Sequence, residues 1–229
     1  MKRILPFLII LSVRGVALGS AWYLKRASTT TQPRSATGDT PRPTVSSLVA
    51  PGAEPAHTMG PVTAPVKLEE FGDFECPPCG QFHPVLKKMH DEFGDRLQVT
   101  FREFPLTALH PHAVSAASAA EAAGIQGKFW EMHHLLYDNQ KAWHAQFDVR
   151  PTFEDYAKQI GIDVEQFKRE INGDLVARRI TEDGKRARSF NVSGTPTLFM
   201  NGREMPFDTI INEDKFRAAI KQELESAKR

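Results

Sequence analysis

Cys76-Pro77-Pro78-Cys79 holds the only two cysteines of the chain. Thiols at that spacing can close a four-residue disulfide and open it again, and the thiolate is the species that attacks other disulfides. Val66 to Phe71 reads as a strand, and Gly80 to about Phe93 reads as a helix with Phe82, Val85, Leu86, Met89 and Phe93 on one face. A cysteine at the start of that helix sits among unpaired backbone N–H groups and at the positive end of the dipole, which favours its thiolate. The chemistry indicated is thiol–disulfide exchange. A structural metal centre wants four ligands and the chain has no second cysteine pair. It would have to recruit His83 with His110 or His112, and the surface is the simpler place for His83. An inert disulfide is weaker still, because so short a loop constrains the unfolded chain little.

The elements that must position this motif follow in a readable order. Leu97 to Phe104 alternates as a second strand, ended by Pro105. From about 111 to 190 the patterns are helical only: Val114–Ala123, Lys128–Tyr137, Thr152–Ile160, a segment opened by a capping box at Asp163 and Gln166, and Asp174–Phe190. Thr197–Met200, Asn201-Gly202 and Arg203–Met205 form a β-hairpin. Asn212 caps a last helix that buries Phe216, Ile220 and Leu224. Trp130 and Trp143 are expected to be packing anchors. The pattern is that of an α/β domain over 60–229 with a helical insertion at about 111–190.

Residues 1–57 carry seven Lys/Arg against two Asp/Glu, while the remainder is net acidic, so the folded body offers no nucleic-acid surface. Residues 1–26 read as a signal peptide or membrane anchor: Lys2-Arg3, an apolar run, Arg14, a further apolar stretch and Lys25-Arg26. Eleven Leu/Ile/Val/Phe between positions 4 and 24 give roughly −3 to −6 kcal/mol of insertion energy, and Arg14 costs roughly 2.5–3.5. Hydropathy alone therefore does not decide between cleavage and anchoring. Residues 27–59, rich in Thr, Ser, Pro and Ala, are expected to form a disordered linker. Such a tether favours the anchor slightly. Export places the cysteines in an oxidising space.

Four segments in order, Phe71–Cys79, Phe101–Leu106, Gln126–Met132 and Val192–Thr197, resemble the DsbA-like branch of the thioredoxin superfamily, which are bacterial envelope thiol:disulfide oxidoreductases. The resemblance spans about residues 60 to 226 and implies a thioredoxin-like fold with an inserted helical subdomain. It implies that Cys76 is the partly exposed attacking sulfur and Cys79 the buried resolving one. Thr195-Pro196 would be a cis-proline loop that, with Pro77 and Pro78, lies along an extended substrate. Glu70, six residues before Cys76, would relay the proton of the buried thiol. Glu69 would then face solvent. No metal and no cofactor are expected, since the Cys76–Cys79 disulfide itself carries two electrons. The implied partners are exported proteins with cysteines and a membrane redox protein that resets the motif. The implied location is the periplasm or another extracytoplasmic face, with the chain anchored or secreted.

Two departures from the family pattern bear on its potential. The strongly oxidising members have a His beside the second cysteine, where this chain has Pro78. Glu75 puts a negative charge next to Cys76, which raises a thiol pKa if the side chains are close. Both predict a couple less oxidising than about −120 mV, the value of the strongest oxidant of the family. The expected activity is donation of the disulfide to exported proteins through a mixed disulfide at Cys76; a tethered reductase or isomerase, a Cys/His metal-binding protein and a peptide-binding module built around Pro196 are the alternatives.

Overall fold

A computed structural model describes residues 49–228; the leader at 1–26 and linker residues 27–48 lie outside them. Three segments assemble the heart of a five-stranded sheet. β1 (His57–Met59), β2 (Val66–Gly72) and β3 (Leu97–Glu103) are joined by β4 (Thr197–Met200) and β5 (Arg203–Glu204) in the order β1-β3-β2-β4-β5. β2 runs parallel to β3 and antiparallel to β4, so the strand leading into the cysteines is central and paired along both edges. Alternation along β2 sends Val66, Leu68 and Glu70 to one face and Phe71 to the other. The first face packs against α1 (Pro77–Phe93), whose Phe82, Leu86, Met89 and Phe93 share a cluster with Val66, Leu68 and Phe216.

Between β3 and β4 the chain forms α2 (Ala113–Ile125), α3 (Phe129–Asp138), α4 (Gln140–His144), α5 (Arg150–Gln159), α6 (Val164–Glu170) and α7 (Asp174–Ser189). α2 is alanine-rich and buried over most of its surface, which lets its neighbours approach closely. Trp143 is fully buried against Phe153 and donates to the Leu136 carbonyl, the packing role expected of it. After the hairpin, α8 (Phe207–Ile210) precedes α9 (Glu213–Ser226), which Asn212 caps by accepting from Lys215 N at 3.0 Å. The hairpin turn has Asn201 at φ 48° and Gly202 at φ 80°, and both signs are what a type I′ turn requires. The cap of α6 is split: Asp163 accepts from Gln166 N, but its own N–H goes to Gln126 instead of Gln166. Sequence periodicity passes over α4 and α8, which are too short to show it.

The ordered body begins upstream of the expected boundary at Gly60. β1 pairs with β3, matching His57 to Phe101, and Ala53 is buried. Composition misleads here because the segment is held by backbone polar groups and by His57, stacked on Phe129 and 2.9 Å from Glu121, and not by large aliphatic side chains. Ala53 N donates to Asp183 Oδ1 at 2.7 Å and its carbonyl accepts from Arg102 Nη1 at 2.8 Å. The Ala50 carbonyl accepts from Arg186. Arg102 also binds Glu69, which is paired with Arg186 and does not lie free in solvent. Those two arginines hold the Glu69 carboxyl below its ordinary range against the opposing effect of burial.

Replacing Arg102 by Met leaves Asp183 and Glu69 short of a cation in a buried setting. Removing one partner of such a pair costs about 3–5 kcal/mol. For a domain of this size each kcal/mol moves the melting temperature by about 2–4 °C. A thermal melt should therefore show a drop of about 10 °C, with new proteolysis around Ala53; an unchanged melt would sink this account.

No helix among the described residues is long and apolar enough to cross a membrane.

Candidate active site

β2 delivers the chain into a tight turn that ends at Cys76, the N-cap of α1. Cys76 has extended backbone angles (φ −70°, ψ 120°), and Pro77 and Pro78 take the first two helical positions. Those positions lack intrahelical acceptors for an N–H, so the prolines cost no bond there and preset the helical φ. The turn is fixed by Asp73. Its carboxylate accepts from Glu75 N, Leu106 N and the His110 Nδ1 position at 2.7–2.9 Å. Gln140, from α4, donates to the carbonyls of Phe74 and Cys76 at 2.7 and 2.8 Å. Gly80 makes room for this clamp: a Cβ there would lie 2.5 Å from Gln140 Oε1.

Both thiols are free. Cys76 is 5% exposed, less than the partly exposed sulfur expected, and Cys79 is fully buried. The Thr195–Pro196 bond is cis, and it brings the Thr195 carbonyl within 3.3 Å of Cys76 Sγ. The structure thus gathers Cys76, Cys79, Thr195 and Pro196 at one place. Pro77 is exposed and Pro78 half-buried at its edge.

The two sulfurs differ sharply. A hydrogen bond from the Cys79 thiol holds Cys76 at about 6, helped by the Thr195 side chain and the Cys79 backbone N–H and opposed by burial. The Thr195 hydroxyl is buried without another partner, so it is free to turn toward an ionised Cys76. Burial and the neighbouring Cys76 push Cys79 well above the ordinary thiol range, with Glu70 adding to the rise. The shifts run in opposite directions, favouring a thiolate at Cys76 and a protonated thiol at Cys79.

Glu70 takes the inward position, 2% exposed between Phe101 and Leu198 in the sheet. Desolvation alone raises it to about 8. Glu75 does not play the adverse role expected of it. Its carboxylate is engaged by His144 Nδ1 and His112 N, and the nearby charge that disfavours the Cys76 thiolate belongs to Asp73.

The cysteines gather no metal set with His83. His110 is engaged by Asp73 and His112 by the Gln146 carbonyl, while His83 is buried and not at the surface. A cleft of about 560 Å³ opens beside the start of α1, lined by Glu75, Pro77, Gly80 and Pro84 and by the 137–144 segment. Of the residues expected to meet substrate, it reaches Pro77 alone. Sequence reasoning missed Asp73 and Gln140. An Asp directly after a strand is a turn former, which was the one available signal for Asp73; Gln140 gave none.

The chain matches a thioredoxin family model over residues 53–226. It is 44% identical over 148 residues to Na(+)/H(+) antiporter NhaA 1 of Salinispora arenicola, a match covering 64% of this chain and 22% of that protein. The chain spans less than a third of the length of the curated relatives it matches. Among solved structures, oxidised BdbD from Bacillus subtilis superposes with a TM-score of 0.67 at 24% identity, over 77% of this chain and 98% of that one. The thiol-disulfide exchange protein alpha-DsbA2 from Wolbachia pipientis gives 0.63 at 22% identity, over 73% and 86%. At these identities the likeness is one of fold: a thioredoxin-like sheet with a helical insertion.

Proposed function

The chain belongs to the thioredoxin family, and from that premise we propose that it is a thiol:disulfide oxidoreductase that donates the Cys76–Cys79 disulfide to cysteines of exported proteins. One observation carries this reading: Cys76 caps the start of α1 with its sulfur 3.3 Å from the Thr195 carbonyl of the cis-proline loop, while its partner Cys79 is fully buried.

In the donating direction a substrate thiolate attacks Cys76 Sγ. The S–S bond to Cys79 breaks, and Cys79 leaves as a thiolate that must take up a proton. Glu70, protonated below about 8 in the same buried space, is the group that supplies it. A second substrate thiolate then attacks the substrate sulfur of the mixed disulfide. It expels Cys76 as a stabilised thiolate, and two electrons have moved from substrate to protein. The edge formed by Thr195, Pro196, Pro77 and Pro78 would carry the substrate backbone. No cofactor is needed for this cycle, and a membrane redox partner would remove the electrons.

The extracytoplasmic, membrane-tethered or secreted setting rests on the leader sequence. The relatives named for an antiporter are several times longer than the matched region, so their ion exchange is not proposed for residues 49–228.

A second reading, a tethered reductase or isomerase, has one observation in its favour. A thiol at about 6 lies nearer the thioredoxin value of about 7 than the DsbA value of about 3.5. Less thiolate stabilisation means a less oxidising couple. Equilibration with glutathione buffers separates the two. We expect a potential below about −120 mV and above about −200 mV, which supports donation. A value at or below about −240 mV turns the reading to the reductant. No reversible transition at all would remove the enzyme.

A further inference from the structure

One helical turn beyond Cys79, His83 of α1 meets His133 and His134 of α3. The three ring centres form a nearly equilateral triangle with sides of 5.3, 5.2 and 5.4 Å. His83 and His133 are 5% and 2% exposed, and His134 is half-buried. His83 Nε2, both nitrogens of His133 and His134 Nδ1 are buried with no hydrogen-bond partner. Leaving one buried polar group unpaired costs about 1–3 kcal/mol, and here three such atoms lie on His133 and His134 while His83 Nε2 has only the Asp138 carboxylate at 3.4 Å. Neither packing nor the thiol chemistry accounts for them.

We propose that His83, His133 and His134 form a binding site for one divalent transition-metal ion of the zinc type. Their ligand atoms already lie within 4.8 Å of one another. A tetrahedral ion bound to imidazole nitrogen at about 2.0–2.1 Å sets ring centres about 5.2 Å apart. The observed triangle has that size, so rotation of the rings in place brings the nitrogens to the ion. His83 and His133 are buried away from solvent, which favours the neutral ring whose free lone pair binds a metal. A third imidazole and no sulfur or oxygen cage select zinc, cobalt, nickel or copper over calcium or magnesium. Asp138, whose Oδ1 is 3.4 Å from His83 Nε2 and whose side chain is 64% exposed, lies on the open side outside the three-histidine set, where it can orient the His83 ring. The charge of Lys87 opposes a cation there, but its ammonium is paired with Asp91.

The site contains neither cysteine, so it stands or falls separately from the redox reading. The test uses untagged full-length chain carrying Cys76→Ser and Cys79→Ser, which removes the thiolates as competing ligands. Calorimetric titration with zinc chloride should give one equivalent per chain. Cobalt chloride should give the visible bands of a tetrahedral ion without thiolate-to-cobalt charge transfer. His134→Ala, at a half-buried position that tolerates truncation, should weaken zinc at least tenfold, while His90→Ala should not. Absence of stoichiometric zinc would overturn the proposal and leave buried water as the partner of these nitrogens. So would zinc binding that His134→Ala leaves unchanged.

Discussion

Replacing Cys79 by Ala is expected to move the midpoint of Cys76 alkylation from about 6 toward the ordinary thiol value near 9. The hydrogen bond from Cys79 is the largest influence lowering Cys76, ahead of the Thr195 side chain and the α1 backbone. At pH 7 the parent thiol is about nine-tenths ionised, and the variant would be ionised by only a few per cent. The more basic thiolate is a better nucleophile, which recovers part of the loss, so the rate at pH 7 falls several-fold and not a hundredfold. The same variant has no second thiol to close on Cys76, so mixed disulfides should accumulate. Cys76→Ser should neither alkylate nor exchange, because buried Cys79 keeps its proton. Iodoacetamide rates between pH 4 and 10 provide the measurement. A midpoint that stays near 6 in the Cys79→Ala chain would place the thiolate stabilisation in the helix start and not in the partner sulfur.

How far the sequence foretold this arrangement depended on the range of the interactions involved. β2, β3, α1, the 201–202 turn and the Asn212 cap were legible, because each is written in a local period or a turn residue. Glu70 was placed correctly by alternation, and the cis Thr195–Pro196 bond by family resemblance. The failures came from contacts between distant segments. Ala53 is buried because Arg102 and Asp183, far along the chain, take its backbone groups. Glu75 is adjacent to Cys76 in sequence, yet its carboxylate is engaged by His144 and by the His112 N–H from far along the chain. His83 looked like a surface residue at the edge of an apolar stripe, and α3 covers it with two more histidines. Composition and spacing report which side chains a segment owns; they are silent on which backbone atoms another segment will claim.

Glu70→Gln is expected to remove a pH-dependent penalty as well as a proton carrier. Glu70 is raised from 4.5 to about 8 by desolvation alone, so formation of the disulfide does not cancel the shift. The sign follows from proton counting. Between about pH 4.5 and 8 the folded chain keeps this proton while the unfolded chain releases it. The associated stability is therefore fully present below about 4.5 and is lost as pH rises to about 8. Over that window the loss is on the order of 4–5 kcal/mol. Glutamine is neutral in both states and carries no such slope. Denaturant unfolding of the oxidised chain, in which neither cysteine titrates, should show parent and variant close together at pH 5. At pH 8 the variant should be more stable by several kcal/mol. In exchange assays the variant should protonate and release Cys79 more slowly, and rates should vary less between pH 6 and 8. Parallel stability curves for the two chains across pH 5 to 8 would mean that Glu70 ionises freely in the fold. It would then have no claim on the Cys79 proton.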